Sequence, residues 1–153
     1  MRRKDKEIYD IDLIKKILNE ARIIRIAMCD GNEPYLVAMN FVYMDGSLYM
    51  HSAMEGRKID VLMKNNRVAF QTDIGVELFV EEKACNFSMK YMSIVGIGRA
   101  YLINDRDVKI NALNGIMEKY TGKAVFEYAE SLIEKTLIVK IEIDSLSGKK
   151  SKY

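Results

Sequence analysis

Between positions 22 and 52 the chain runs through three stretches rich in β-branched and aromatic residues, punctuated by Asp30-Gly31-Asn32 and by Asp45-Gly46. Asp-Gly between apolar runs supplies the positive-φ residues of a tight hairpin, so neighbouring strands must be antiparallel and adjacent. Parallel pairing would need crossovers of about a dozen residues or more, for which there is no room. Strands are expected at 22–29, 35–44 and 47–52, with Pro34 at a strand start, where its missing N–H is tolerated.

Helical signals flank this block. Leu13, Ile14, Ile17 and Leu18 recur at helical spacing behind Asp10, a natural N-cap, and predict a helix over 10–20. Gly56 opens a second helix, 57–65, with Ile59, Leu62 and Met63 on one face. The longest helix is expected over 105–120, stopped by Gly122, and 126–134 reads as a short one. Further strands are expected at 67–73, more weakly at 76–80, at 91–103, and at 136–143, where Leu137, Val139, Ile141 and Ile143 share a face. Gly96, Gly98 and Ala100 also share a face, which suits the curvature of a barrel wall. The expected fold is mainly β (α+β): about six antiparallel strands in a closed or partly closed barrel with flanking helices. One domain spanning 1–153 follows from the length, with 1–9 and the polar tail 147–153 expected to be flexible ends.

Composition narrows the function. A hydrophobic fraction of 49% and a charged fraction of 30% are those of an ordinary folded chain. A net charge of +2, with Lys and Arg interspersed among Asp and Glu, lacks the basic stripe of a nucleic-acid binder. Met1-Arg2-Arg3-Lys4 leads into Asp5 and Glu7 rather than an apolar stretch, and no apolar run is long enough to cross a bilayer. No secretory signal and no membrane partner are therefore expected, and the location should be cytoplasmic. Cys29 and Cys85 have neither the number nor the spacing of a disulfide scaffold or metal site, and read as buried or half-buried free thiols. With one histidine and no tryptophan, a His-rich metal site and a Ser-His-Asp triad both lack support. Met28, Met39, Met63 and Met117 fall on apolar faces and read as core filling.

The stretch 49–58 is the most informative. It places His51 and Ser52 at a strand end, a turn at Gly56, and the cations Arg57 and Lys58 where a helix begins. Helix N-termini carry unpaired amides and the positive end of the dipole, so cations there are unfavourable unless an anion joins them. Two readings fit: a phosphate held by amides, the Ser52 hydroxyl and both cations, or a solvated surface pair. His51, with an ordinary pKa near about 6.5, is open to hydrogen bonding a cofactor, to haem ligation, or to a structural role without ligand.

The run Y-x-H-S-A-x-x-G-R-K-I-D, preceded by P-Y-L-V-A-M-N-F and followed by V-A-F-Q, resembles the flavin-nucleotide-binding branch of the pyridoxamine 5′-phosphate oxidase-like superfamily. Within it the likeness is to 5-nitroimidazole resistance proteins. The opening M-R-R-K-D, the stretch 91–100 and the closing I-D-S-L-S-G-K share it, so it spans nearly the whole chain. The resemblance implies a six-stranded split barrel and a homodimer with FMN in a groove shared by both subunits; FAD or haem are the lesser alternatives. It implies that Arg57 and Lys58 bind the FMN phosphate and that His51 and Ser52 line the phosphate and ribityl side. Backbone of Ala38, Met39 and Asn40 would lie along the isoalloxazine ring, and Ser93, with Tyr91 beside it, would reach the flavin of the partner subunit. True pyridoxamine-phosphate oxidases continue into a C-terminal segment with Trp and Arg that this chain lacks, so that activity is not expected. The expected function is an FMN-dependent oxidoreductase of nitroaromatic or similar small acceptors, with a nicotinamide or protein electron donor. A non-catalytic flavin or haem carrier is the alternative, and an empty dimerisation module a third.

Overall fold

The computed structural model describes residues 3–153. Both hairpins form at the turn signals. The first joins Ile24–Asp30 to Glu33–Met39; the second joins Val42–Met44 to Ser47–Ala53, with Asp45 at φ 51° and Gly46 at φ 73°, the positive pair such a turn demands. In chain order the described elements are β1 (Glu7–Ile8), α1 (Ile11–Glu20), β2 (Ile24–Asp30), β3 (Glu33–Met39), β4 (Val42–Met44), β5 (Ser47–Ala53), α2 (Arg57–Lys64), β6 (Arg67–Phe79), β7 (Ser88–Ile103), α3 (Arg106–Thr121), α4 (Glu130–Glu134) and β8 (Thr136–Ser151). Short 3-10 turns lie at Lys4–Lys6 and Ala84–Asn86.

The pairings are antiparallel, in the order β3-β2-β6-β7-β8-β5-β4, with β1 added to β8. The two edge strands, β3 and β4, are consecutive in the chain, separated by Asn40 and Phe41 alone. Laid flat, six strand spacings would hold them about 29 Å apart. The chain from Met39 to Val42 reaches at most about 11 Å. The sheet therefore curls until its edges meet, leaving a split barrel whose seam is the Asn40-Phe41 crossover.

Strand alternation fills the barrel with Ile24, Ile26, Met28, Leu48, Met50, Val68, Phe70, Ile94, Val139 and Ile141, and α1 closes it with Ile17 and Leu18. A second cluster, Val42, Tyr49 and Ile138 under Ala112 and Ile116 of α3, lies outside the wall beside the seam. A Cβ on Gly96 would come within 2.3 Å of Phe70 Cζ, and one on Gly98 within 2.3 Å of the Glu142 carbonyl oxygen, so β7 must stay small where its neighbours close in. Asp10 accepts from the Asp12 and Leu13 amides and Asp105 from those of Asp107 and Val108, capping α1 and α3; Gly122, at φ 74°, ends α3.

Several expectations need correction. The six strands become eight, because 35–44 breaks at the seam and β1 adds to the sheet; Val76 and its neighbours join β6 through an irregularity between Ile74 and Glu77. Helix 126–134 shrinks to α4. The tail expected to be flexible continues β8 to Ser151, paired with β7 from Val95↔Ser147 to Tyr91↔Ser151, and Ile8 packs over Gly148. Its Ser, Gly and Lys hide the pattern, while its backbone still completes the sheet. Met1 and Arg2, part of the other expected flexible end, lie outside the described residues. Met63 is 67% exposed and Val61 takes its place in the core. Cys29 and Cys85 are exposed rather than buried, Cys29 because alternation turns it outward between buried Met28 and the end of β2. Among the described residues no helix is long and apolar enough to cross a membrane.

Candidate functional site

The seam brings β5, the start of α2 and the end of β3 together. At Gly56 the backbone takes φ 116° and ψ 167°, a conformation that favours glycine, and turns β5 directly into α2. The Gly56 carbonyl accepts from the Ile59 and Asp60 amides, while no side chain caps the helix. That leaves the Arg57 and Lys58 amides, with no partner among the described residues, open to an anion.

Arg57 and Lys58 leave this turn in different directions. The Arg57 guanidinium stacks over Tyr35, 4.6 Å from the ring centre, and its Nε lies 3.3 Å from Asp30, whose other oxygen is 4.0 Å from Lys64. Lys58 is half-buried, and among the described residues its ammonium reaches the Met39 sulfur, at 3.7 Å, and no carboxylate. Burial pushes the Lys58 ammonium below its ordinary pKa. His51 is accessible to solvent, yet desolvation first, and the Lys58 charge second, hold its imidazole below the usual value and so neutral at pH 7. Met39, His51 and Lys58 therefore form one cluster at the seam, with Asn40 next to Met39 in the chain and Arg57 at the rim.

The remaining expected residues are spread around it. Ser52 is 8% exposed and, one residue along β5, faces the opposite side of the wall from His51. Ala38 lies on the outer face of β3, opposite Arg25. Tyr91 and Ser93 also face outward, but on β7, three strand spacings or about 14 Å across the sheet from β3. Ser93 stands opposite Asp73, which pairs with Arg25 at 3.2 Å, and Lys149 covers the Tyr91 ring. Between these two groups the outer face is apolar, with Leu36, Val95 and Ile97 exposed around a shallow hollow of about 260 Å³. Clefts of about 350 and 450 Å³ open elsewhere, and neither is lined by Arg57 or Lys58. On a single chain the cation cluster is a ledge rather than a cavity.

Sequence reasoning missed Asp30 and Tyr35, which hold Arg57, and Lys64, which shares Asp30 with it. Asp30 had been absorbed into a turn, and nothing in its spacing linked it to a helix start 27 positions later. Tyr120, whose hydroxyl meets the seam, ends the expected helix 105–120, where helical spacing carries no sign of a polar role.

Residues 10–150 match the pyridoxamine 5′-phosphate oxidase family, and the chain belongs to it. A candidate 5-nitroimidazole antibiotic resistance protein from Bacteroides thetaiotaomicron is 33% identical, with a TM-score of 0.83 over 94% of this chain and 85% of that one. The flavocytochrome Anf3 from Azotobacter vinelandii (21% identity, TM-score 0.85, 100% and 72% covered) and an FAD and heme binding protein from Mycobacterium smegmatis (17%, 0.85, 97% and 74%) share the fold. No match was found among curated proteins.

Proposed function

We propose that this protein is an FMN-binding flavoprotein, an FMN-dependent oxidoreductase that works as a homodimer on nitroaromatic or similar small acceptors. The observation that carries the reading is the uncapped start of α2, with Lys58 half-buried and no carboxylate beside it. A desolvated cation next to free amides fits a phosphate: the anion would restore what burial removes, and the amides of the first turn would share its charge. Arg57 would add a planar fork by releasing Asp30, and the neutral imidazole of His51 would offer one hydrogen bond. When bound, FMN would supply hydride and single-electron transfer; the chain's part is to bind, orient and shield it. No residue of this cluster is needed as an acid or base.

The dimer reading rests on the outer face. Leu36, Val95 and Ile97 leave an apolar surface between the α2 ledge and the Tyr91–Ser93 side, which a second copy would cover under two-fold symmetry. That arrangement would also bring the partner's Ser93 and Tyr91 to the ledge, since within one chain they stand too far off. The likeness to a candidate nitroimidazole resistance protein supports the acceptor class, with electrons from a nicotinamide or a protein donor. A cytoplasmic setting suits that chemistry.

A haem or flavin carrier is the second reading. It is favoured by His51, the sole imidazole, being neutral and open to solvent. The visible spectrum of the purified protein separates the two. Flavin bands that bleach on adding a reductant and return with a nitroaromatic acceptor support the first reading; a Soret band that His51→Ala abolishes selects the second.

A further inference from the structure

Asn40 and Phe41 belong to no strand, so their backbone groups must find partners away from the ladder. The Phe41 N–H donates to the Tyr120 hydroxyl at 3.0 Å, and that hydroxyl donates to the Arg22 carbonyl oxygen in the α1–β2 connection. Beside it, Lys119 donates to the Leu18 carbonyl oxygen near the end of α1, at 2.9 Å. Its ammonium also lies 3.4 Å from the centre of the fully buried Phe41 ring. One turn of α3 thus grips the seam, the end of α1 and the entry to β2. Met39, two residues before this grip, meets the Lys58 ammonium through its sulfur at 3.7 Å.

We propose that Tyr120 is a positioning residue for the cofactor site: its hydroxyl fixes the backbone at Phe41, next to the 38–40 stretch along which the flavin ring would lie, while Lys119 holds the Phe41 ring. This rests on the flavin reading above. The hydroxyl accepts from one backbone group and donates to another, a double role no other side chain of that shape can fill. Phenylalanine would keep the ring packed and leave both the Phe41 N–H and the Arg22 carbonyl without partners. Burial raises the Tyr120 phenol above its ordinary pKa, which keeps the proton needed for the bond to Arg22 in place. A general contribution to stability would loosen the whole barrel, whereas a clamp loosens the seam first.

The test combines residue-resolved hydrogen exchange with FMN titration on Tyr120→Phe, Lys119→Met and a control, Tyr128→Phe, which removes a hydroxyl bond to Asn114 elsewhere on α3. In Tyr120→Phe the Phe41 amide should exchange about tenfold faster than in the parent while core strand amides such as Ile26 and Ile94 hold their rates. FMN affinity should fall about fivefold to tenfold, with a shifted spectrum of the bound flavin. Lys119→Met should show the same pattern at about two- to threefold, and Tyr128→Phe should show neither. An unchanged Phe41 rate, or an equal rise at every core amide, overturns the clamp. Faster Phe41 exchange with unaltered flavin affinity and spectrum overturns the positioning role. A parent protein that takes up no FMN defeats the flavin reading and with it the cofactor role, while exchange still reads the clamp itself.

Discussion

At the start of α3 the Asp105 carboxylate accepts from the Asp107 and Val108 amides at 3.1 and 3.0 Å, whereas at the start of α2 Gly56 offers no side chain and two cations follow. Both helices pack onto the same barrel and both face the orphan amides of a helix N-terminus. One closes its terminus with its own carboxylate. The other has no side-chain cap and begins with two cations, Lys58 having no carboxylate beside it among the described residues, an arrangement the dipole disfavours until an anion arrives. On the proposed reading the contrast separates a terminus closed for stability from one left for a ligand, and each prediction below tries to break it.

The largest effect is expected from removing both cations. Arg57→Ala combined with Lys58→Ala should weaken FMN binding by about two orders of magnitude, since charge-assisted hydrogen bonds contribute about 1.5–3 kcal/mol each. Equilibrium dialysis checks this, and thermal melting should show the fold intact. Next comes pH. Phosphate binding would raise a Lys58 pKa that burial holds below the ordinary 10.5, so affinity is full while the free protein keeps its ammonium. It should fall, by about tenfold at most, as pH rises through that depressed value. Lys58→Arg should move the decline to higher pH, and a parent profile flat across the lysine range contradicts the role given to Lys58.

Asp105→Ala should do the reverse of the cation variants: about 1 kcal/mol of stability lost, read as a melting temperature about 2–4 °C lower, with FMN affinity unchanged. The smallest effect carries an opposite sign. Asp30 holds Arg57 in an exposed pair that contributes about 1 kcal/mol or less, so Asp30→Asn should free the guanidinium and tighten FMN binding about two- to fivefold. Weaker binding would mean that Asp30 orients Arg57 toward the phosphate instead of competing with it.

Local chemistry was readable where it acts over a few residues. Asp10 and Gly122 announced their helix ends, Asp45-Gly46 its hairpin, and the cations after Gly56 an odd helix start, while the cap at Asp105 came from the structure. The seam was not, because Phe41 continues an apolar run and the partner of its amide, Tyr120, lies 79 positions away. The strand at 147–151 was hidden for a related reason: its neighbours Tyr91 and Val95 supply the pairing that its own polar residues do not advertise. At the site, alternation along β5 separates Ser52 from His51, and the distance from Ala38 to Ser93 follows from a strand order that no single segment encodes.

Riboflavin and FMN differ only in the terminal phosphate, so a parallel fluorescence titration of the protein with the two addresses the open helix start most directly. If α2 holds the phosphate, riboflavin should bind at least about a hundredfold more weakly than FMN. Equal affinities would contradict the account.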